Sequence, residues 1–272
     1  PYPLIDVARN FVDQKNFIVN IQPLREYLYE FVDSSKPNLV SIYLEALNTG
    51  ANISINTDSR FWPASLSKVP AAMVVLKKVE RGEWKLNNEL VLFEEDKDAR
   101  FGELYKNAVG TRFSVEKLIK EMIINSDNTA FKIFVRNLPS TAFDEIIQTL
   151  GLEELYNKEY DISSKEYSRI FRSLYNSSFL EPYYSQLLLQ WLSETQFDDY
   201  LANEVPNNIV FSHKIGEQSE QHTYLDSGIV YIPNRPYMIT VLLKINENTD
   251  ELSSKNIAEK LMSTISKKAY EY

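Results

Sequence analysis

Three short segments carry residue types and spacings that suit nucleophilic acyl transfer. In Ser65-Leu66-Ser67-Lys68 the serine and the lysine lie three apart, so on a helix they share one face and the amine reaches the hydroxyl. A serine hydroxyl is a weak nucleophile until a base takes its proton. A desolvated lysine with a lowered pKa does that. At a helix N-terminus Ser65 would also have backbone N–H groups and the positive dipole end beside it, which suits an oxyanion. Ser126-Asp127-Asn128 joins two predicted helices. A hydroxyl at such a bend can relay a proton to a leaving nitrogen, and an amide can orient a carbonyl or the lysine. His213-Lys214-Ile215-Gly216 falls on a predicted strand, where Lys214 adds positive charge and Gly216 lets a ligand approach the backbone.

Each segment alone has a plainer explanation. Ser163-Ser164-Lys165-Glu166 shows how easily a serine–lysine pattern arises. Ser, Asp and Asn cap helices well, so Asp127 or Asn128 can cap the second of its two helices. Lysines are common on edge strands. The order of the three, at a helix start, an interhelical bend and a late strand, carries more weight than any one.

The elements that must hold these segments follow from periodicity. Leu24, Leu28 and Phe31 mark a helix from about Gln22 to Asp33, closed by Pro37. Leu39–Leu47 and Ala51–Ile55 form a hairpin around Asn48-Thr49-Gly50. The Ser65 helix runs to about Arg81, with Gly82 at its C′ position. Ser114 caps the helix that ends at Asn125, a second follows Asn128, and a third opens at Pro139-Ser140 and ends at Gly151. Ser163 and Glu166 form a capping box for a fourth, and Tyr183 to about Leu201 gives another. Asn208–Ile215, Tyr224–Ile232 and Tyr237–Ile245 alternate as strands, and Glu251–Tyr270 is an amphipathic helix. The expected fold is α+β, an antiparallel sheet flanked by N- and C-terminal helices with an all-α lobe inserted. Residues 22–60 and 207–272 make the α/β part, about 61–206 the lobe, and 1–21 an N-terminal extension.

Composition narrows the function classes. The chain has 272 residues, 44% of them apolar and 25% charged, with a net charge of −9. That acidic balance argues against a nucleic-acid partner. The absence of cysteine removes thiolate metal sites, disulfides and a cysteine nucleophile. Only His213 and His222 are available as the base of a Ser–His–Asp triad. No metal cluster or phosphate-binding glycine loop is present, so no cofactor is expected. No apolar run reaches the length of a membrane span. A removed signal peptide or anchor is compatible with the chain's opening on Pro1. Oligomeric state leaves no mark in the pattern.

The three motifs together resemble the S-x-x-K, S-D-N and K-T-G set of class A β-lactamases and penicillin-binding proteins. The flanks agree: Thr111-Arg112-Phe113-Ser114-Val115 through Thr129-Ala130 resembles the class A lobe, and Asp226-Ser227-Gly228-Ile229-Val230 resembles the strand after the lysine motif. By this resemblance, which spans about residues 22 to 270, Ser65 forms an acyl-enzyme with Lys68 as general base. Ser126 passes a proton to the leaving nitrogen, Asn128 positions substrate, and Lys214 meets the substrate carboxylate and tunes Ser126. The backbone N–H groups of Ser65 and Glu217 form the oxyanion hole. Phe101 or Tyr105 walls the cleft.

Two departures bear on activity. Ile215 stands where the motif has threonine, so no hydroxyl is there for a carboxylate, unless His213 compensates. The segment 151–161 lacks the usual E-x-x-L-N pattern of the omega loop and looks truncated. Glu153 and Glu154 are candidates for the deacylation base by position only. The expected function is a D-alanyl-D-alanine peptidase, with a β-lactamase of unusual deacylation base, a catalytically weak binder of cell-wall peptides, or an unrelated esterase or amidase as alternatives. Its partners are D-Ala-D-Ala peptides or β-lactams, met outside the cytoplasm, whether periplasmic, cell-surface or secreted. Membrane attachment would come only through a missing N-terminal anchor.

Overall fold

A computed structural model describes residues 2–7, 20–152 and 161–272. After the helix α1 (Gln22–Ser34) the chain makes the hairpin β1 (Leu39–Ala46) and β2 (Asn52–Ile55). A 3₁₀ turn, Ala64–Ser67, leads into α2 (Lys68–Glu80). The lobe then adds the ribbon β3 (Glu89–Val91) and β4 (Arg112–Ser114). Its further helices are α3 (Val115–Ile124), α4 (Asn128–Asn137), α5 (Asp144–Leu150), α6 (Ser164–Tyr175) and α7 (Pro182–Leu192). The chain returns through β5 (Phe211–Gln218), β6 (Thr223–Val230) and β7 (Tyr237–Lys244), and closes with α8 (Glu251–Glu271).

The sheet order is β2-β1-β7-β6-β5, antiparallel throughout, so early strands join late ones in a single sheet as the α+β expectation requires. Side-chain alternation explains how both faces are covered. On one face Val40, Ile42, Leu44, Val241 and Leu243 pack with Leu24 and Leu28 of α1 and Met262 and Ile265 of α8. On the other, Tyr43, Leu225, Ile229, Met238 and Leu242 pack with α2, α3 and α6. Each such buried Leu or Ile contributes about 1.5–3 kcal/mol relative to an exposed one. β5 is the outer strand, so alternate N–H groups along it point away from β6.

Several boundaries follow local chemistry closely. Gly82 has φ 73°, and the bonds from Gly82 N to Val79 O and from Glu83 N to Lys78 O make a Schellman stop for α2. Ser114 accepts from Lys117 N at the start of α3, and Ser163 accepts from Glu166 N at the start of α6. Other boundaries differ from the expectation. α5 begins at Asp144, because Pro139–Phe143 is taken up by turn bonds such as Ala142 N to Pro139 O. α7 stops at Leu192, where the Ser193 hydroxyl folds back onto the Gln190 carbonyl. β5 runs on to Gln218, because pairing from Phe211↔Val230 to Gln218↔Thr223 keeps it in register with β6. The β3–β4 ribbon was not expected, since three residues are too few to show a period of two.

Candidate active site

Ser65 sits inside the 3₁₀ turn rather than on the first turn of α2. The turn is held from three sides. Ser67 Oγ donates to Ala64 O at 2.8 Å, and the buried Tyr167 of α6 donates to Leu66 O at 2.7 Å. Gly216 of β5 faces the turn, and a Cβ there would lie 3.0 Å from Pro63 O and 3.3 Å from Leu66. The glycine expected to admit a ligand therefore serves first to let β5 pack against the turn that carries Ser65. Ala64 has φ 44°, a left-handed conformation that costs a non-glycine residue about 1–3 kcal/mol.

Lys68 opens α2 and is almost wholly buried. Its Nζ lies 3.0 Å from Ser65 Oγ, 2.5 Å from Ser126 O, 2.6 Å from Asn128 Oδ1 and 3.2 Å from Ser126 Oγ. Burial, and then the nearby Lys214 charge, push its pKa well below the ordinary lysine value, against smaller opposing pulls from Asp127 and Asp98. A neutral amine has two N–H groups and one lone pair. The two shortest contacts take the N–H groups, which leaves the lone pair for the Ser65 hydroxyl proton.

Ser126 occupies the bend between α3 and α4 with φ 54°, a second left-handed non-glycine residue in the site. Its Oγ lies between the two amines, 3.2 Å from Lys68 Nζ and 2.9 Å from Lys214 Nζ, and Lys214 donates to it. Lys214 is fully buried over the Phe197 ring, and burial pushes its pKa down to about 7. The four predicted residues Ser65, Lys68, Ser126 and Lys214 thus form one hydrogen-bonded chain, with Asn128 at its side.

The bend is fixed by Asp127, whose Oδ1 accepts from Ala130 N as the cap of α4. Its Oδ2 accepts from Glu103 N and Leu104 N. Gly102, with φ 86°, presses so near that a Cβ would fall 2.0 Å from that oxygen. Asp127 therefore both caps a helix and pins the loop before β4. Asp98 on this loop was missed in the sequence. It accepts from Asn128 Nδ2 at 3.3 Å, which turns the amide oxygen of Asn128 toward Lys68. Arg100 grips Asp98 through two nitrogens at 2.6 and 3.0 Å and holds its carboxyl far below the usual range. No sequence pattern marks Asp98 as part of the site, because Asn128 and Thr129, which it meets there, are about thirty residues away.

Residues 23–272 match the β-lactamase enzyme family. The chain belongs to that family. β-Lactamase VEB-1 of Pseudomonas aeruginosa is 20% identical over 270 residues, covering 89% of this chain and 88% of that one. The solved structure of PBP-A shares the fold with a TM-score of 0.82 at 20% identity, over 92% of this chain and 96% of that one. A mutant of PBP-A, solved as an acyl-enzyme complex with penicillin G, gives a TM-score of 0.81 at 21% identity, with coverage of 92% and 96%. Membership makes this protein a serine hydrolase of the β-lactamase and D,D-peptidase type.

Measured against the family motifs, the remaining predicted residues separate. Ile215 points to the far face of β5 and packs in the cluster shared with α1 and α8. His213 points the same way, with Nδ1 2.9 Å from Asp226 Oδ1 and its ring stacked on Phe211, so it does not stand in for the missing threonine hydroxyl. Alternation along the strand dictates both outcomes once Lys214 faces the lobe. The Glu217 side chain accepts from Tyr200 at 2.8 Å and from Ser219 at 2.6 Å, and it borders the cleft. Glu166 is ion-paired with Arg60 at 2.6 Å. Ser164 of the decoy motif bonds Ser41 of β1 at 2.7 Å. Glu153 and Glu154 lie outside the described residues.

The cleft over Ser65 has a volume of about 490 Å³. Trp62, Phe101 and Phe131 wall it with aromatic surface, and Tyr105 is not on its wall. Its charged lining is Arg100 and Lys132, both paired with Asp98, together with Lys68, Glu217, Glu220 and Glu251. Among the described residues no group of three His, Cys, Asp or Glu side chains is placed to hold a metal ion.

Proposed function

We propose that this protein is a penicillin-binding-protein-like D-alanyl-D-alanine peptidase whose acyl-enzyme forms on Ser65. The observation that carries this reading is the Lys68 amine, depressed in pKa and 3.0 Å from Ser65 Oγ with its other contacts made to acceptors. Lys68 takes the Ser65 proton as Oγ attacks the substrate carbonyl. The oxyanion is received by the backbone N–H groups of Ser65 and Glu217. Ser126 then gives a proton to the leaving nitrogen and regains one through the Lys68 and Lys214 contacts. Asn128 holds the acyl amide, and Lys214 meets the substrate carboxylate. We take residues 22–272 as the catalytic domain.

The preference for a peptidase comes from deacylation. Among the described residues no carboxylate hydrogen-bonds Ser65 or Lys68. Of the four carboxylates that border the cleft, Asp98 is held by Arg100 and Glu217 by Tyr200 and Ser219, and neither Glu220 nor Glu251 hydrogen-bonds Ser65 or Lys68. Where no base activates water, a bulky β-lactam adduct turns over slowly. The second reading is a β-lactamase, favoured by the name of its relative VEB-1. In either case the substrates are met outside the cytoplasm. Among the described residues no helix is long and apolar enough to cross a membrane.

Intact mass followed over time after mixing with penicillin G decides between the readings, with Ser65→Ala as control. A lasting adduct that the control lacks supports the peptidase. Rapid hydrolysis with no lasting adduct supports the β-lactamase. An adduct that persists in Ser65→Ala overturns both.

A further inference from the structure

Behind β5 and β6, on the face turned away from the cleft, Asp226 is completely buried. Its Oδ1 lies 2.9 Å from His213 Nδ1, and its Oδ2 accepts from Leu201 N at 3.1 Å. His213 is itself pinned. Its ring stacks on Phe211 with centroids 4.2 Å apart and planes within 8°. Gly228 lies opposite it in the register, and a Cβ there would come within 2.4 Å of the His213 Cβ. Four features therefore hold one carboxylate in one place, away from water. The acyl-transfer chemistry makes no contact with it.

Its position in the sheet suggests what it does. Asp226 pairs in register with Ile215, the residue after Lys214. The Lys214 and Asp226 side chains leave opposite faces, so they do not touch. Among the described residues Lys214 has no carboxylate within ion-pair distance, although it is fully buried. A fixed anion across the sheet acts on such a cation through an interior of low dielectric, where charges are felt far more strongly than in water.

We propose that Asp226, held by His213, is a positioning residue for the acyl-transfer site: it is the counter-charge, acting through the sheet, that keeps Lys214 protonated. The ammonium then keeps its bond to Ser126 and its charge for a substrate anion. That last use rests on the acyl-transfer reading; the electrostatic link does not. The other charged groups around the pair are named by their elements. Lys68 of α2 faces Lys214 from the lobe, and its own pKa is lowered by burial and the Lys214 charge and raised by Asp127 and Asp98. Asp198 borders the same small polar pocket as His213. Burial depresses Lys214, and the Asp226 charge is the influence that opposes it.

The test reads Lys214 directly, by NMR titration of the side-chain carbons in protein labelled at lysine, with Lys214→Arg to assign the signal. Asp226→Asn is expected to move the Lys214 midpoint down by about one pH unit or more. His213→Asn, whose amide can still donate to Asp226, is expected to leave it near the wild-type value, and His213→Leu to lower it. A midpoint unchanged in Asp226→Asn overturns the proposal whether or not the protein reacts with penicillin. A shifted midpoint in a protein that never acylates upholds the link and sinks the proposed function instead. If Asp226→Asn does not fold, the two His213 variants decide: a Leu variant that titrates like the Asn variant overturns the proposal.

Discussion

Between β1 and α6, Arg172 reaches Glu45, and both meet the Tyr43 hydroxyl, at 2.8 Å from Arg172 and 2.9 Å from Glu45. At the other edge of the sheet, Lys68 and Lys214 share the Ser126 hydroxyl and have no carboxylate in contact among the described residues. Both clusters are polar and buried, but their charges are balanced differently. In the first, cation and anion cancel: the guanidinium is held above its ordinary pKa, and burial beside Glu45 pushes Tyr43 up to about 12. In the second, two amines face each other with no carboxylate in contact among the described residues, and both are depressed. A paired cluster is costly to break, because removing one partner leaves an uncompensated buried charge. An unpaired one lowers stability and supplies an amine able to take a proton near neutral pH.

Breaking the second cluster has the largest expected effect. Lys68→Met removes the proposed base and should lower the rate of acylation by penicillin about 10²–10⁴-fold. Its stability should change by less than about 2 kcal/mol, because loss of two hydrogen bonds is offset by removal of a desolvated amine. Stopped-flow acylation and urea melts measure the two. Glu45→Gln should do the reverse. It leaves Arg172 half-buried without its anion, so stability should fall by about 1–3 kcal/mol while the acylation rate stays within about twofold of wild type. A large loss of acylation in Glu45→Gln would erase the distinction between the clusters.

The comparison is sharpened by pH. Lys214 has a folded-state pKa of about 7, below its unfolded value of 10.5. Between those values the unfolded chain holds more protons, so stability rises with pH across that window. Below about pH 7 both states are protonated and the full cost of burying the charge is present. The unfolding free energy of wild type should therefore rise relative to that of Lys214→Met from pH 7 to pH 10, by at most about 1.4 kcal/mol per pH unit. A flat difference means that Lys214 is not depressed. The smallest effect is expected from Tyr167→Phe, which removes the bond to Leu66 O. It should cost about 1 kcal/mol of stability and slow acylation a few-fold, with no change in the pH profile.

Much of the site was legible because its chemistry is local. Ser65 and Lys68 meet across one turn, and Ser126, Asp127 and Asn128 are consecutive. What was not legible depends on contacts between distant parts of the chain. Tyr167 bonds a carbonyl 101 residues away, and Arg172 pairs with Glu45 across 127. The extension of β5 to Gln218 was hidden for a similar reason: its end is set by pairing with β6, not by its own pattern. Ile215 was read as a defect in the cleft. The structure makes it core, since facing direction depends on which side of β5 meets the lobe.

The amino-acid sequence by itself determined the α+β class, the helix caps at Ser114 and Ser163, and the short segments that carry Ser65, Lys68, Ser126 and Lys214. These follow from periodicity and from side-chain chemistry within a few residues. Only the tertiary structure decided that Lys68 and Lys214 converge on Ser126, that Asp98 turns Asn128, and that His213 serves Asp226 rather than the cleft. The physical reason is burial. An amine becomes a base, and a remote carboxylate a counter-charge, only when packing has removed the water that would otherwise screen them.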